Sequence, residues 1–583
     1  MTHKRTVAIV GVGPRGLRAL ENFVVTLHQQ NALQHVQVLL FEETPNLGNG
    51  PVYSISQAKS NWINISERAL NLAERLVIAS EGLTIPNFPS YHEWSAKDFS
   101  IIPKEKKDTY PPRAQVGEYL SQRFQSIFQP LKEAGYVTLI NEKVERLSIQ
   151  GEKFILETAN NSYDQLDEVL LTIGHQPTET SEQLLAWEEH VKNNSAIHLF
   201  SNPYPIEQFL TFNKLKHDNC IALRGFGLAM MDVVRGIAER FGAFISDETK
   251  NKVIQYQTEF NIKNLFVPFS LDGLPMSPKP LNPKIDQWFE PSDTLLLNFG
   301  EIIGDKKKQR KATGVSFLID AISPVIIEVF LSLPAIVASP PLLENELKKI
   351  IQQWLTEDEF EHALVTPIAQ SAEKSMRSFV DMAKGLKPIS LDYCIGQVWR
   401  HCQPIIYDKL SYNECSNEVI SDIVALDEGM KRYAYGPPVE SVEQLLALVA
   451  ADVMTLTFVK DPDFKLTNKG WTLICGEDSI TTDIMINSVL DAPRLKSVSS
   501  SLVKNLLSDD LIQPVHDDLG ILTDENGYAI SQDDNRVLSL AVLGRLAKGT
   551  VIGVDAILEC FGSRSKEWAE EAVSHHIKWL EKI

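Results

Sequence analysis

Two periods of apolar and polar positions alternate along the chain. Residues 6–10 form a short β-branched, apolar run that stops at Gly11-Val-Gly-Pro-Arg-Gly16, and Leu17-Arg-Ala-Leu-Glu-Asn-Phe-Val-Val continues at helical spacing. This reads as strand, glycine turn, helix. A second strand, Val36-Gln-Val-Leu-Leu-Phe41, stops at Glu42, and a third apolar run, 167–173, ends in Thr172-Ile-Gly174 followed by His175-Gln-Pro177. The strand-glycine-helix pattern returns at Cys220-Ile-Ala-Leu-Arg-Gly225-Phe-Gly227-Leu-Ala-Met230. Residues 274–291 are Pro-rich and mark a loop or domain edge, and 342–456 carry mostly three- and four-residue apolar spacing. Near the end, 537–543 predicts a strand, and Lys548-Gly549-Thr550 predicts a turn that opens a helix from about Thr550. The expectation is an α/β chain with two dinucleotide-binding (Rossmann-like) units and a large, partly helical substrate or cap region. Its divisions fall at 1–205, 206–280, 281–470 and 471–583, the last segment returning to the first unit.

The first turn carries chemistry in its spacing. Gly11 permits the tight turn, Gly13 lets backbone approach a pyrophosphate, and Gly16 lets helix and strand pack closely, while Pro14, Arg15 and Leu17 open the helix whose free N–H groups face the phosphates. Glu42, 26 positions past Gly16, is placed to accept from a ribose hydroxyl. The bland counterpart is a structural crossover with an empty crevice. In the second turn Met230 holds the third glycine position, so Gly225 and Gly227 either hold a nicotinamide nucleotide or merely shape a tight strand-helix junction. Thr172 and Gly174 fit the return strand of a flavin domain. Gly549 and Thr550 either place a helix dipole beside a flavin or belong to an ordinary terminal unit.

Composition removes whole classes. With 56 Lys and Arg against 76 Asp and Glu, the net charge of −20 repels phosphate backbones and anionic membranes, so neither a nucleic-acid nor a membrane partner is expected. Six cysteines without a C-x-x-C pair point to reduced thiols, a cytoplasmic location, and no zinc or iron–sulfur site. The most apolar stretch, 314–338, contains Asp320, Pro324, Glu328 and Pro334 and reads as buried protein, and the N-terminus lacks a signal-peptide pattern. The basic run Lys306-Lys-Lys-Gln-Arg-Lys311 is a solvated loop or a phosphate patch. Arg400 or Arg432 could clamp a substrate carboxylate or tie helices to loops, and His175 and His401 could shuttle protons or serve packing. No nucleophile elbow or metal cluster stands out, which leaves the hard chemistry to a cofactor acting on a small molecule.

These stretches resemble bacterial FAD/NAD(P)-binding proteins that open with G-x-G-P-x-G-L, including flavin-dependent N-hydroxylating monooxygenases of the nitrosuccinate synthase type. The resemblance rests on Gly11-Val-Gly-Pro-Arg-Gly-Leu17, Phe41-Glu-Glu-Thr-Pro-Asn-Leu-Gly-Asn-Gly-Pro-Val-Tyr53, Ile63-Asn64, Pro112-Arg113 with Gly117-Glu-Tyr-Leu120, Leu171-Thr-Ile-Gly-His175, and Gly225-Phe-Gly-Leu228 with Asp232. It implies that Gly11, Gly13, Gly16 and Glu42 hold the ADP half of FAD. Gly48, Gly50, Tyr53 and Asn64 border the flavin, Arg113 lies near flavin or substrate, and Gly225 and Gly227 help hold NAD(P)H. Where relatives tend to show Ser-Arg before a glycine, this chain has Ser270-Leu271-Asp272-Gly273, which puts NADP preference in doubt.

The expectation is therefore an FAD- and NAD(P)H-dependent oxidoreductase. The leading form is a monooxygenase that oxygenates an amine or other small polar metabolite, such as an amino acid, through a flavin hydroperoxide, with Arg113, Asn64 and Arg400 at the reacting end. A dehydrogenase or reductase without oxygen insertion and a non-catalytic nucleotide-binding module stand as alternatives. Substrate identity and oligomeric state stay open.

Overall fold

Two parallel sheets organise the chain in a computed structural model that describes residues 4–80, 82–246, 253–337, 343–533 and 535–582. The first has the spatial order Tyr528–Ile530, Arg536–Val542, Glu168–Leu171, Arg5–Val10, Val36–Phe41, Val137–Ile140, parallel throughout except at the outer Tyr528–Ile530 strand. Strands covered on both faces need near-continuous apolar sequence, and Glu168–Leu171 is buried at all four positions. Helix Pro14–Gln29 covers one face with Leu17, Leu20, Phe23 and Leu27, and helix Arg564–Leu580 packs beside it, Trp568 lying 5.6 Å from the Phe23 ring. On the other face lie the antiparallel strands Val144–Gln150, Lys153–Thr158 and Ser162–Leu166 with helix Ser501–Ser508.

The C-terminal segment is built into this unit. Strand Arg536–Val542 pairs in parallel with Glu168–Leu171. Glu168 is fully buried, accepts from Arg5 and Tyr528, and lies 3.3 Å from His575 Nδ1. A buried carboxylate is tolerated only where its oxygens are paired, and here the partners come from both ends of the chain.

The second sheet has the order His198–Phe200, Ile484–Asn487, Ile221–Arg224, Phe266–Phe269, all parallel. Two of its strands come from outside the 206–280 segment: the outer strand His198–Phe200 from 1–205 and the inner strand Ile484–Asn487 from 471–583. Both pair here because a central strand needs a neighbour on each side for its N–H and C=O groups. Helix Leu228–Phe241 covers this sheet, and the cap is inserted between Phe269 and Ile484.

The cap contains helices Asp293–Ile303, Ser316–Ser332, Glu344–Thr356, Ala372–Ala383, Leu391–Leu410, Asn417–Ala434 and Val439–Ala450. The apolar stretch expected to be buried forms helix Ser316–Ser332, with Leu318, Ile322, Ile326 and Phe330 inaccessible; its last position, 338, lies outside the described residues. Among the described residues no helix is long and apolar enough to cross a membrane. The basic run begins as the short helix Lys306–Gln309, where Lys306 donates to the Tyr412 carbonyl at 3.0 Å and Arg310 pairs with Glu414.

Candidate functional site

At the first turn the Gly11 N–H donates to the Phe41 carbonyl at 2.8 Å, joining the ends of the two central strands. Gly13 is the N-cap of the following helix and Pro14 its first residue, a position that requires no intrahelical donor. The N–H groups of Arg15 and Gly16 have no acceptor within the helix and are available to an anion. Gly16 must lack a side chain, since a Cβ there would lie 2.2 Å from the Gly11 carbonyl oxygen. Leu17 anchors the turn in the core. Glu42 accepts the Val12 N–H at 2.9 Å through Oε2, and the Thr44 N–H at 3.0 Å and hydroxyl at 2.8 Å through Oε1. The carboxylate is thereby fixed at the mouth of the turn, where a ribose diol would meet it.

The opposing wall is loop 48–53. A Cβ on Gly50 would lie 3.4 Å from Gly13 Cα and from Pro14 Cδ, and one on Gly48 would meet Phe124. The Tyr53 carbonyl packs on Gly117 and accepts from Asn49 at 2.9 Å. Thr172 donates its hydroxyl to Gly11 O at 2.5 Å, and Gly174 follows at the exposed strand end. An acid, a helix N-terminus and glycine-lined walls fit the ribose and pyrophosphate of a dinucleotide.

Arg15 has a role that sequence reasoning did not give it. Its buried guanidinium donates to the carbonyls of Glu559 at 3.3 Å and Val554 at 3.5 Å, clipping the C-terminal return to the turn. The return differs from expectation at Gly549 and Thr550. No helix starts there: Gly549 has φ +110°, Thr550 Oγ1 donates to Ile521 O at 3.2 Å, and Tyr412 N donates to Thr550 O at 2.8 Å. These bonds hold the segment as a turn, and the next helix is the short Ile557–Cys560. Gly549 and Thr550 instead line a cleft of about 510 Å³ with Tyr412, Asn413, Asp524 and Arg536.

At the second turn the Gly225 N–H donates to Phe269 O at 2.8 Å, and Gly227 caps helix Leu228–Phe241. Met230 is buried in the core, and Met276 Sδ would lie 3.8 Å from a Cβ on Gly227. Arg432 pairs with Asp272 just past strand Phe266–Phe269, and the Arg432 charge holds the Asp272 carboxyl below its usual range against the opposing effect of burial.

Arg113 links the two units. Its Nη2 donates to Asp232 Oδ2 at 3.1 Å and Tyr204 Oη at 3.3 Å, and Tyr204 donates to the same carboxylate at 2.8 Å. Beside it is a cavity of about 20 Å³, room for one water, lined by Asn64, Arg113, Leu228, Asp232, Arg235 and Ser441. Asn64 donates to Tyr435 O at 2.8 Å and accepts from Lys279. Arg400 pairs with Asp286, which also meets Arg68 at 3.3 Å and His401 at 3.4 Å; against the effect of burial, the Arg400 charge and the contact with His401 hold that carboxyl far below its usual range. The guanidinium of Arg400 thus has a carboxylate supplied by its own chain. His175 follows the end of strand Glu168–Leu171, its pKa lowered by partial desolvation of the ring and by the Arg545 charge.

Lys279, in the Pro-rich stretch, was not legible as a site residue. Burial and the nearby Arg400 charge bring its amine down to about 7. Tyr407, Asp427 and Glu559 also escaped notice singly, because they converge with Tyr435 only when the cap meets the C-terminal return.

Residues 8–176 match the FAD-NAD(P)-binding family model. Nitrosuccinic acid synthase npaA of Aspergillus oryzae is 26% identical over 231 residues, covering 39% of this chain and 34% of that protein. L-aspartate N-monooxygenase (nitrosuccinate-forming) of Streptomyces cremeus is 26% identical over 198 residues, covering 29% of this chain and 28% of that protein. The matched stretch spans about a third of each relative's length. Among solved structures, ornithine hydroxylase from Pseudomonas aeruginosa aligns at 12% identity with a TM-score of 0.43, covering 98% of this chain and 99% of that one.

Proposed function

With residues 8–176 an FAD-NAD(P)-binding domain, we propose that the chain is an FAD-dependent monooxygenase that uses reduced nicotinamide and oxygenates the amine of a small polar metabolite, an amino acid in the first instance. Bound FAD would supply the redox chemistry, taking a hydride from the nicotinamide and passing its electrons to O2. The observation that carries this reading is the Arg113–Asp232 bond at 3.1 Å, which ties the start of a first-unit helix to the helix that opens at the second glycine turn. This bond supports a reading in which the two turns serve one centre. The similarity of the N-terminal region to two enzymes named for nitrosuccinate formation supports an amine as the oxygen acceptor.

The chain's own groups divide the work. Glu42 and the N–H groups of Arg15 and Gly16 hold ribose and pyrophosphate, and Gly225 and Gly227 receive the nicotinamide nucleotide. Arg113 acts as a positioning residue, because its charge is spent on Asp232 and Tyr204. Lys279 and Asn64 present an amine and an amide where cap and first unit meet, and these suit a substrate carboxylate. Packed cap helices keep water from the centre.

The test is the visible spectrum of purified protein, followed by anaerobic NADH or NADPH and then air. Bound flavin that bleaches with a reduced nicotinamide and returns with O2, with oxygen uptake stimulated by one or more amino acids, is the expected result. Bleaching without amine-dependent product would favour a reductase, and a protein that takes up no FAD would remove the flavoenzyme reading.

A further inference from the structure

Four side chains stand in single file between cap and first unit. Glu559 Oε1 is 3.1 Å from Tyr435 Oη, Tyr435 Oη is 3.2 Å from Tyr407 Oη, and Tyr407 Oη is 3.2 Å from Asp427 Oδ2. The groups come from helix Leu391–Leu410 (Tyr407), helix Asn417–Ala434 (Asp427), the residue just after it (Tyr435), and helix Ile557–Cys560 (Glu559). At each end the other carboxyl oxygen already accepts an N–H: Ala556 N reaches Glu559 Oε2 at 2.7 Å, and Trp399 Nε1 reaches Asp427 Oδ1 at 3.1 Å. Gln403 Nε2 donates to Tyr407 Oη at 2.9 Å, which leaves that hydroxyl's own hydrogen for the file.

Counting protons makes the arrangement specific. Three links need three protons, and two tyrosine hydroxyls supply two. With both carboxylates ionised, each tyrosine donates outward and the two hydroxyl oxygens face each other with no hydrogen between them. The file closes only when one carboxyl carries the third proton. Either Glu559 donates to Tyr435, Tyr435 to Tyr407 and Tyr407 to Asp427, or every donor reverses and the carboxyl proton sits on Asp427. One concerted shift of three protons converts one state into the other.

We propose that this file is a one-proton relay, with its delivering end at Glu559 on the wall of the cofactor crevice and its reserve at Asp427. Glu559 is placed by that wall because its carboxyl acts electrostatically on the hydroxyl of Tyr53 in loop 48–53, and its backbone carbonyl accepts from Arg15 of the glycine turn. The charged groups facing Glu559 are Arg15 and Asp555; those facing Asp427 are Lys548, Lys431 and Glu428; and Lys431 Nζ lies 5.5 Å from the Tyr435 ring centre. Burial raises both carboxyls above their usual range and both tyrosine hydroxyls far above theirs, so the tyrosines conduct protons without ionising.

The relay rests on the monooxygenase reading for its use. Per turnover the nicotinamide yields a hydride, one oxygen atom enters the substrate N–H bond, the other leaves as water, and one proton is consumed. Glu559 is its source: the proton passes to the oxygen that leaves as water, and one proton from solvent reloads the file before the next turnover. Delivery leaves two carboxylates, with Asp427 facing Lys548 and Lys431 and Glu559 facing Arg15.

Two measurements test this. In the infrared spectrum at neutral pH, wild type minus the double variant Glu559→Gln/Asp427→Asn should show one carboxylic acid and one carboxylate. Two carboxylates in that difference would overturn the shared proton, whether or not the protein turns over. The second measurement uses Tyr407→Phe, which keeps the ring packed on Gly553 and removes the hydroxyl that links Tyr435 to Asp427. FAD content and anaerobic flavin reduction should match wild type, while kcat falls about tenfold or more with KM unchanged and declines at lower pH than in wild type. A wild-type kcat and pH profile would overturn the relay, whereas failure of wild-type flavin reduction would instead remove the monooxygenase reading.

Discussion

The two glycine turns have the same outline and different support. In the first, the acid at the end of the second strand bonds the turn itself through Val12 N, and Gly16 lies against the Gly11 carbonyl. In the second, Met230 fills the core where a third glycine would stand, and the acid past the second strand, Asp272, pairs with Arg432 on a cap helix. The acid that completes the first turn lies within its own βαβ unit, and Thr172 and the C-terminal return bond to the turn from outside it. The second is completed by an insertion more than 150 positions away in sequence. On the proposed function, a nucleotide at the first turn would be held without cap residues, whereas one at the second would be coupled to cap position.

The largest effect should come from breaking the first turn. Gly16→Ala puts a methyl group into the Gly11 carbonyl, where backbone cannot give way cheaply, at an expected cost of about 1–3 kcal/mol. Purified variant should retain little FAD by absorbance and unfold at lower temperature. Full flavin content would mean that the turn does not approach a pyrophosphate. Gly227→Ala is the contrasting experiment: its new methyl meets only Met276 Sδ, at 3.8 Å, so stability and FAD content should stay at wild-type values. Anaerobic flavin reduction by reduced nicotinamide should nevertheless slow by roughly tenfold if the second backbone must approach a phosphate. An unchanged rate would make this turn a structural junction only.

That difference also explains what could be read from the chain. Strand Arg5–Val10, the turn, helix Pro14–Gln29 and Glu42 lie within 42 residues, and local periodicity and spacing carry all of them. Strand Ile484–Asn487 was hidden because its partner Ile221–Arg224 lies some 260 residues earlier, and a short apolar run says nothing of which sheet it joins. Thr550 was misjudged as a helix start because a glycine-rich turn after a strand resembles one that opens a helix; its bonds to Ile521 and Tyr412 are tertiary. Arg400 carried a signal for charge but none for Asp286, its partner across the cap. Lys279 and the Glu559 file needed two units brought together before either had chemistry.

Asp272→Asn sharpens the comparison at the ribose end. The Arg432 pair is partly exposed, so its loss should cost no more than about 1 kcal/mol. Releasing the guanidinium would offer a cation to a 2′-phosphate, and the NADPH-to-NADH ratio of flavin reduction rates should rise up to roughly fivefold. A ratio that falls or stays put would separate this loop from nucleotide selection.

A further test lies where the cap segment reaches back to the first unit. Lys279 is a base whose amine stands at about 7 in the folded chain against 10.5 for the free side chain. Between those values the unfolded chain binds the additional proton, so this residue makes stability rise with pH across that window. Below about 7 both states are protonated and its contribution is flat; above 10.5 both are neutral, and the stability lost on the acid side is fully present. Lys279→Met removes the titration and leaves an apolar chain of similar length beside Asn64. The variant's advantage in melting temperature over wild type should therefore be greatest near pH 7 and shrink steadily toward pH 10, beyond any constant offset from the lost bonds to Asn64. A difference that does not vary with pH would mean that the amine stays charged throughout, held by its bonds to Asn64, and that this contact between cap and first unit is a fixed ionic anchor and not a titrating one.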